Sequence, residues 1–126
     1  MPNLKIAYSP KVEQYFSTNR ELVEIAKTDF TDVAAVVLSS SDVGEYLGRI
    51  QATKFGVPVF VVQTEEQQVD PKFYDSIYHI QDLNGYDIKL YSRQIETAAK
   101  LYEEKMLPPF FKMLSEYVEM GNIAFD

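Results

Sequence analysis

Hydrophobic residues in this chain occur in short runs that polar or amphipathic stretches separate. Two runs, Val33–Leu38 and Val59–Val62, are apolar at every position, which is typical of strands covered on both faces in a parallel sheet. Shorter apolar runs at 4–9, 22–26 and 78–83 predict three further strands. The pattern therefore predicts five strands.

The segments between these runs have the spacing and capping residues of helices. After the polar run 39–42, which suits a helix N-cap, apolar residues recur at helical spacing. They are Val43, Tyr46, Leu47 and Ile50. Asp70 followed by proline predicts a short helix through Ile77, and 12–16 predicts another. A longer helix is expected at roughly 87–106, with apolar residues at steps of three and four. They are Tyr91, Ile95, Ala98, Ala99 and Tyr102.

Alternation of strands and helices indicates one α/β domain. We expect a flavodoxin-like or receiver-like sandwich, with a five-stranded, mostly parallel sheet and helices on both faces. This domain is predicted to span residues 1–106. Leu107-Pro108-Pro109 then breaks the long helix, so residues 107–126 are predicted to form a linker helix outside the sandwich.

Composition narrows the classes of partner. The chain has 126 residues, a net charge of −7 and no cysteine. The acidic balance argues against a nucleic-acid partner or an anionic membrane surface, and disulfides and thiolate metal sites are excluded. No apolar run approaches the roughly 20 residues that span a bilayer, and no secretory signal is visible at the start. A cytoplasmic location is expected.

Ligand sites of parallel α/β sheets lie at the carboxyl ends of the strands, and the sequence there predicts little chemistry. Tyr8-Ser-Pro-Lys11 follows the first strand without a glycine-rich phosphate loop. Receiver domains need acids after the first and third strands, yet the third strand leads into Ser39–Ser41. Asp42 is expected to cap a helix or lie in its first turn, and the serines to serve in loops or caps. No catalytic or metal-binding residue is predicted.

Other titratable residues are expected to be structural or solvated. A lone histidine cannot build a metal site, so His79 is expected to be partly buried in a strand. The acidic pairs at 65–66 and 103–104 are interpreted as solvated charge, on a loop and on the solvent side of a helix. Surface roles are expected for three cations, Arg20, Arg49 and Lys54.

The strongest functional signal is an apolar stripe in the tail. Its members are Phe110, Met113, Leu114, Tyr117 and Val118, with Phe111 and Met120 at its sides. Each such side chain is worth about 1.5–3 kcal/mol when fully buried, so a helix outside the sandwich requires a partner surface. The interface candidates are Phe110, Phe111, Leu114, Tyr117 and Val118. The alternative is that this helix folds back on its own domain.

Several segments resemble a known family. Asp29–Val36, Ala52–Phe60, Ile95–Ala99, Leu107–Phe111 and Tyr117–Asn122 are similar to the N-terminal part of bacterial ornithine decarboxylases. These belong to the prokaryotic ornithine/lysine/arginine decarboxylases, which are fold-type I pyridoxal-phosphate enzymes. The similarity covers essentially the whole chain. The apolar residues at 123–126 have nothing of their own to bury against, so we expect the chain to be the front part of a longer protein.

The resemblance implies a flavodoxin-like wing domain without catalytic or cofactor-binding residues of its own. It implies that the full-length enzyme uses pyridoxal phosphate to convert ornithine to putrescine and CO₂, and that the cofactor residues lie beyond Asp126. The partners it implies are the downstream cofactor domain and further subunits, with a role in oligomer assembly and regulation. The alternative, from a different class, is a free-standing degenerate receiver that acts through protein contacts.

Overall fold

A computed structural model describes residues 4–64 and 68–106, and these form a five-stranded parallel sheet. The strands are β1 (Lys5–Tyr8), β2 (Leu22–Glu24), β3 (Val33–Ser39), β4 (Val59–Val62) and β5 (Tyr78–Ile80). Their order in the sheet is β2-β1-β3-β4-β5, and each neighbouring pair is parallel. The flavodoxin-like fold predicted from the sequence is confirmed.

Two α-helices connect or follow the strands in the described residues, α1 (Val43–Thr53) and α2 (Ile88–Met106). Four short 3₁₀-helices lie at Pro10–Tyr15, Ile25–Lys27, Ser40–Asp42 and Pro71–Ser76. The predicted helices at 12–16 and 71–77 are therefore 3₁₀ turns. Segments of about six residues cannot offset the cost of nucleating an α-helix.

Helices cover both faces of the sheet, as predicted. Val59 of β4 lines a cavity together with Ile50 of α1, whereas its neighbour Phe60 lines a groove together with residues of α2. Because successive strand residues point to opposite faces, α1 and α2 lie on opposite sides of the sheet. α2 packs across β3, and every residue of β3 is buried.

The apolar faces predicted for the helices are the buried ones. Val43, Leu47 and Ile50 of α1 are buried in the core, and so are Ile95, Ala99 and Tyr102 of α2. The small side chain of Ala99, fully buried, allows α2 to approach β3 closely. Asp87 caps α2, because its Oδ1 accepts a hydrogen bond from the backbone N–H of Leu90 at 3.1 Å.

Two strands are shorter than predicted. β2 ends at Glu24 because Ile25–Lys27 turn into a 3₁₀-helix, where Lys27 Nζ lies 2.7 Å from Glu24 Oε2. β5 ends at Ile80, and shortly afterwards the Asp82 side chain accepts a hydrogen bond from Asn84 N at 2.9 Å. These local side-chain interactions favour turns over continued strands. The predicted linker helix at 107–126 lies outside the described residues.

Candidate functional site at the sheet edge and in an apolar groove

The carboxyl ends of β1 and β3 meet at the point where the strand order reverses, which is where this fold places ligands. Ser9 follows β1 and Ser39 ends β3. The backbone N–H of Ser39 donates to Ser9 Oγ at 3.2 Å, and Ser39 Oγ donates to Asp42 Oδ2 at 2.9 Å. These polar groups therefore satisfy one another and hold the two strand ends together.

The remaining polar side chains at this edge extend the same network. Lys11 Nζ donates to Ser41 Oγ at 3.2 Å, and Ser41 Oγ lies 3.0 Å from Ser39 Oγ. Ser40 is buried, and its Oγ has no hydrogen-bond partner among the described residues. His79 belongs to β5, which β3 and β4 separate from β1. No histidine is therefore close to these serines. Ser39 ends β3, and Ser40 and Ser41 begin a 3₁₀-helix without a side-chain cap, so the expectation of loop or capping roles is wrong for these serines.

Asp42 occupies the predicted position but interacts differently. It is the N-cap residue of α1, yet its side chain makes no capping hydrogen bond. Its carboxylate instead accepts the hydrogen bond from Ser39 Oγ. The expected position of Asp42, at a helix cap or in a first turn, is thus confirmed, although its carboxylate bonds to the serine hydroxyl and not to a backbone N–H. At Asp70 the prediction is confirmed, since Oδ1 accepts a hydrogen bond from Lys72 N at 3.0 Å.

His79 is half-buried in β5, as predicted. Its ring lies 5.1 Å from the ring of Tyr74, and Nε2 has no hydrogen-bond partner among the described residues. Burial lowers the pKa of His79 below its ordinary value. Within 4–64 and 68–106, no group of three or more His, Cys, Asp or Glu side chains is arranged to hold a metal ion.

Arg20 is buried, which contradicts the expectation of a surface role. Its side chain is 4% exposed, and Nε donates to Glu96 Oε2 at 2.9 Å. Nη2 donates to Glu103 Oε1, and Nη1 donates to the backbone carbonyl of Leu4 at 2.8 Å. Burial alone would lower the pKa of Arg20, but hydrogen bonds and charges of the two glutamates outweigh it and raise the pKa.

Glu103 is likewise not the solvated acid that the sequence suggested. Its side chain is 15% exposed, and besides Arg20 it accepts a hydrogen bond from Leu4 N at 3.4 Å. Its neighbour Glu104 is exposed, as predicted. Glu96 and Glu103 lie about two turns apart on one face of α2, next to the buried stripe. Two glutamates seven residues apart beside a buried apolar stripe are a pattern from which a buried cation between Glu96 and Glu103 could have been predicted.

A groove of about 900 Å³ lies between α2 and the face of β4 and β5. Phe60 and Tyr78 stack along its floor with ring centroids 4.7 Å apart. Phe55 is 81% exposed, Tyr78 58% and Leu101 47%. The charged side chains that line this groove, Arg93 and Lys105, are both basic. Such a surface can bind an apolar segment with acidic flanks.

The tail residues predicted to form an interface lie outside the described residues. They are Phe110, Phe111, Leu114, Tyr117 and Val118. Their role as contact residues stays a prediction.

Comparison with known families matches residues 4–102 to the model of the Orn/Lys/Arg decarboxylase N-terminal domain. The chain belongs to this family. The resemblance noted from the sequence is thereby confirmed, and the matched residues include all five strands.

Individual relatives of this decarboxylase N-terminal domain are ornithine decarboxylases. The chain is 95% identical over 126 residues to an ornithine decarboxylase of Haemophilus influenzae, covering 100% of the chain and 18% of the relative. It is 44% identical over 125 residues to an inducible ornithine decarboxylase of a Lactobacillus species, covering 98% and 17%. An inducible ornithine decarboxylase of Escherichia coli is 41% identical over 128 residues, covering 100% and 17%. The chain thus spans less than a fifth of the length of these relatives.

Two lysines of this decarboxylase N-terminal domain do not fit the Schiff-base role that pyridoxal phosphate requires. A Schiff-base lysine needs a lowered pKa, but hydrogen bonds to Asp32 and to Glu24 raise the pKa values of Lys5 and Lys27. Lys105 lines the open apolar groove, where the other cationic lining residue is Arg93. No helix among the described residues is both long and apolar enough to cross a membrane.

Proposed function

We propose that this chain is the non-catalytic N-terminal domain of an ornithine decarboxylase. The larger enzyme would convert L-ornithine to putrescine and CO₂ with pyridoxal phosphate in the cytoplasm. The chain itself would bind no cofactor. Its own task would be structural, namely the assembly of subunits, with regulation of the assembled enzyme as an additional role.

The observation that carries this proposal is the 95% identity to the Haemophilus influenzae ornithine decarboxylase over the full length of the chain. Relatives at 44% and 41% identity have the same named activity. Ornithine is therefore preferred over lysine and arginine, the other substrates in the family description.

The polar chemistry of the described residues supports a non-catalytic role. Ser9, Ser39 and Asp42 bond to one another at the edge where this fold places ligands. Arg20 is enclosed by Glu96 and Glu103, so its charge is unavailable to a substrate. These hydrogen bonds link parts of the fold that are distant in sequence, which supports a structural role for these groups.

The apolar tail supports a role in assembly. Five residues, Phe110, Phe111, Leu114, Tyr117 and Val118, are too apolar to remain in water without a partner surface. The proposed partners are the downstream cofactor domain of the same enzyme and its other subunits.

A chimeric enzyme tests the proposal. This chain would replace the matching segment of the Haemophilus influenzae ornithine decarboxylase, and CO₂ release from ornithine and lysine would be measured together with the sedimentation coefficient. We expect an active ornithine decarboxylase with the assembly state of the parent. Phe111→Asp and Val118→Asp should weaken assembly, whereas Glu119→Gln, on the polar side of the predicted helix, should not.

Two results would contradict the proposal. One is a chimera that is folded but does not reach the assembly state of the parent enzyme. The other is unchanged assembly in both aspartate variants. Separately, the chain alone should form no stoichiometric adduct with pyridoxal phosphate, which absorption spectroscopy would detect.

A further inference from the structure

The groove between α2 and the β4–β5 face exists because α2 covers another part of the sheet. α2 packs across β3, which lies at the centre of the strand order, and so leaves the last two strands uncovered on that side. Sheets in α/β domains need both faces covered. The apolar side chains of Tyr78 and Leu101 are therefore left facing the groove without a covering layer among the described residues.

The groove runs alongside α2 to the point where the next segment of the chain begins. Its lining extends from Leu90, near the start of α2, to Lys105, and α2 ends at Met106. At 1.5 Å per residue this stretch of helix measures about 22 Å. The chain continues for residues 107–126 from that end, so the tail starts beside the groove.

The tail sequence has the length and pattern to fill the groove by turning back. Pro108 and Pro109 cannot continue α2, but proline suits the first turn of a new helix. In the predicted helix, apolar residues at steps of three and four share one face. They are Phe110, Met113, Leu114 and Tyr117. This face would be about 12 Å long, which is shorter than the groove.

Charge also matches the two surfaces. The charged groups that line the groove are Arg93 and Lys105, although the chain as a whole has a net charge of −7. The tail contributes Glu116 next to its apolar face. An acidic segment is attracted to a basic rim and repelled by the acidic surface elsewhere on the domain. Charge therefore favours docking of the tail at this groove.

We propose that residues 110–117 of the same chain dock in this groove, antiparallel to α2, with Phe110, Leu114 and Tyr117 facing the sheet. The stripe residue Val118 and its neighbour Phe111 then lie at the side of this face and stay uncovered by the sheet. Their contact with the rest of the larger enzyme rests on the proposed function, whereas the docking itself does not. Residues 1–106 would in this way provide part of the surface that contacts the linker helix at 107–126.

A single spin label tests the docking, because the chain has no cysteine of its own. Lys89→Cys places a nitroxide on an exposed position beside Leu90, at the end of the groove farthest from residue 106. Antiparallel docking brings residues 117–120 about 15 Å closer to this end than residues 108–110. We expect the amide NMR signals of 117–120 to broaden strongly and those of 108–110 to broaden much less.

Matched variants identify the surface involved. Leu101→Glu should abolish the broadening, because Leu101 lines the groove. Ile88→Glu should leave it unchanged, since Ile88 lies on the same helix, is 46% exposed against 47% for Leu101, and does not line the groove. On the tail, Leu114→Glu should abolish the broadening and Val118→Glu should retain it.

Mixing isotope-labelled chains without nitroxide and unlabelled chains with nitroxide separates the outcomes. Docking within one chain gives no broadening in the mixture. Broadening in the mixture would show that the groove takes the tail of a second copy, and no broadening in either sample would show that it takes neither. Both results would overturn the proposal, and neither would affect the activity or substrate preference of the chimeric enzyme.

Discussion

On one flank of α2, polar side chains tie the helix to the start of the chain; on the other, apolar side chains stand beside an uncovered part of the sheet. The tied flank has Arg20 between Glu96 and Glu103, and Ser17 N donates to Ser92 Oγ at 2.9 Å. The open flank has Leu101 at the groove. A helix can thus be fixed in place by one side and leave the other for association.

This difference suggests a division of labour within a small domain. Buried charge pairs stabilise the fold weakly relative to apolar replacements, but breaking one of them is costly because it leaves an unpaired charge. Exposed apolar surface contributes little to the fold and remains available for contacts. We expect substitutions on the tied flank, at Arg20 and its partners, to change the free energy of unfolding. Substitutions on the open flank, at Leu101, should change the contacts that the groove makes with other segments or chains.

The largest effect is expected from Arg20→Ala. The substitution leaves two carboxylates facing each other beside Leu4 with their cation removed, and we expect a loss of about 3–5 kcal/mol in the free energy of unfolding. Urea denaturation followed by circular dichroism would measure it. Arg49→Ala, at an exposed position, is the matched control and should change stability by less than about 0.5 kcal/mol. Equal effects of the two substitutions would remove the distinction between the flanks.

The next effect contrasts two apolar residues on α2. Ile95 is buried in the core, so Ile95→Ala should cost about 2–5 kcal/mol. Leu101 is 47% exposed, so Leu101→Ala should cost about 1 kcal/mol, in proportion to the smaller area it loses. The same denaturation experiment compares them. A larger cost at Leu101 than at Ile95 would mean that the open flank holds the domain together.

The sequence predicted the sheet well because burial on both faces leaves a visible pattern. Val33–Leu38 is apolar at every position, and all of β3 is buried. The strongly periodic segment at 87–106 likewise became α2. Of its predicted apolar residues, Ile95, Ala99 and Tyr102 are buried, and Tyr91 and Ala98 are half-buried. Short segments were less predictable, since the choice between an α-helix and a 3₁₀ turn at Pro10–Tyr15 depends on packing.

The two flanks of α2 could not be predicted in the same way. Arg20 pairs with residues 76 and 83 positions away, and a single sequence does not show which distant charges meet. The groove depends on where α2 lies across the sheet, and the packing of α2 on β3 is a tertiary contact that a single sequence does not show. The tail stripe was visible in the sequence, but the surface opposite it was not.

A smaller effect is expected at the N-terminal end of the tied flank. Tyr86 Oη donates to the backbone carbonyl of Tyr15 at 2.5 Å, and the two rings lie 5.6 Å apart. Tyr86→Phe removes this hydrogen bond and should cost about 1 kcal/mol. Burial also raises the pKa of Tyr86 to about 12. In an alkaline titration followed by ultraviolet absorbance, the phenol that ionises at the highest pH should therefore be missing from the variant. If no phenol with a pKa near 12 disappears, Tyr86 is not enclosed.

The smallest effect concerns β5, the edge strand beside the open flank, and is a dependence on pH. Burial lowers the pKa of His79 in the folded state, so the unfolded chain binds a proton more readily. The contribution of His79 is therefore fully present above its unfolded pKa and is lost as pH falls from that value through the folded pKa. We expect His79→Gln to flatten this part of the stability curve between neutral and mildly acidic pH, measured by urea denaturation at a series of pH values. Glu104→Gln, at an exposed position on α2, should leave that part of the curve unchanged. If stability depends on pH equally in the histidine variant and in the unchanged chain, the His79 side chain is hydrated in the folded state. Both faces of β5 would then be open to solvent.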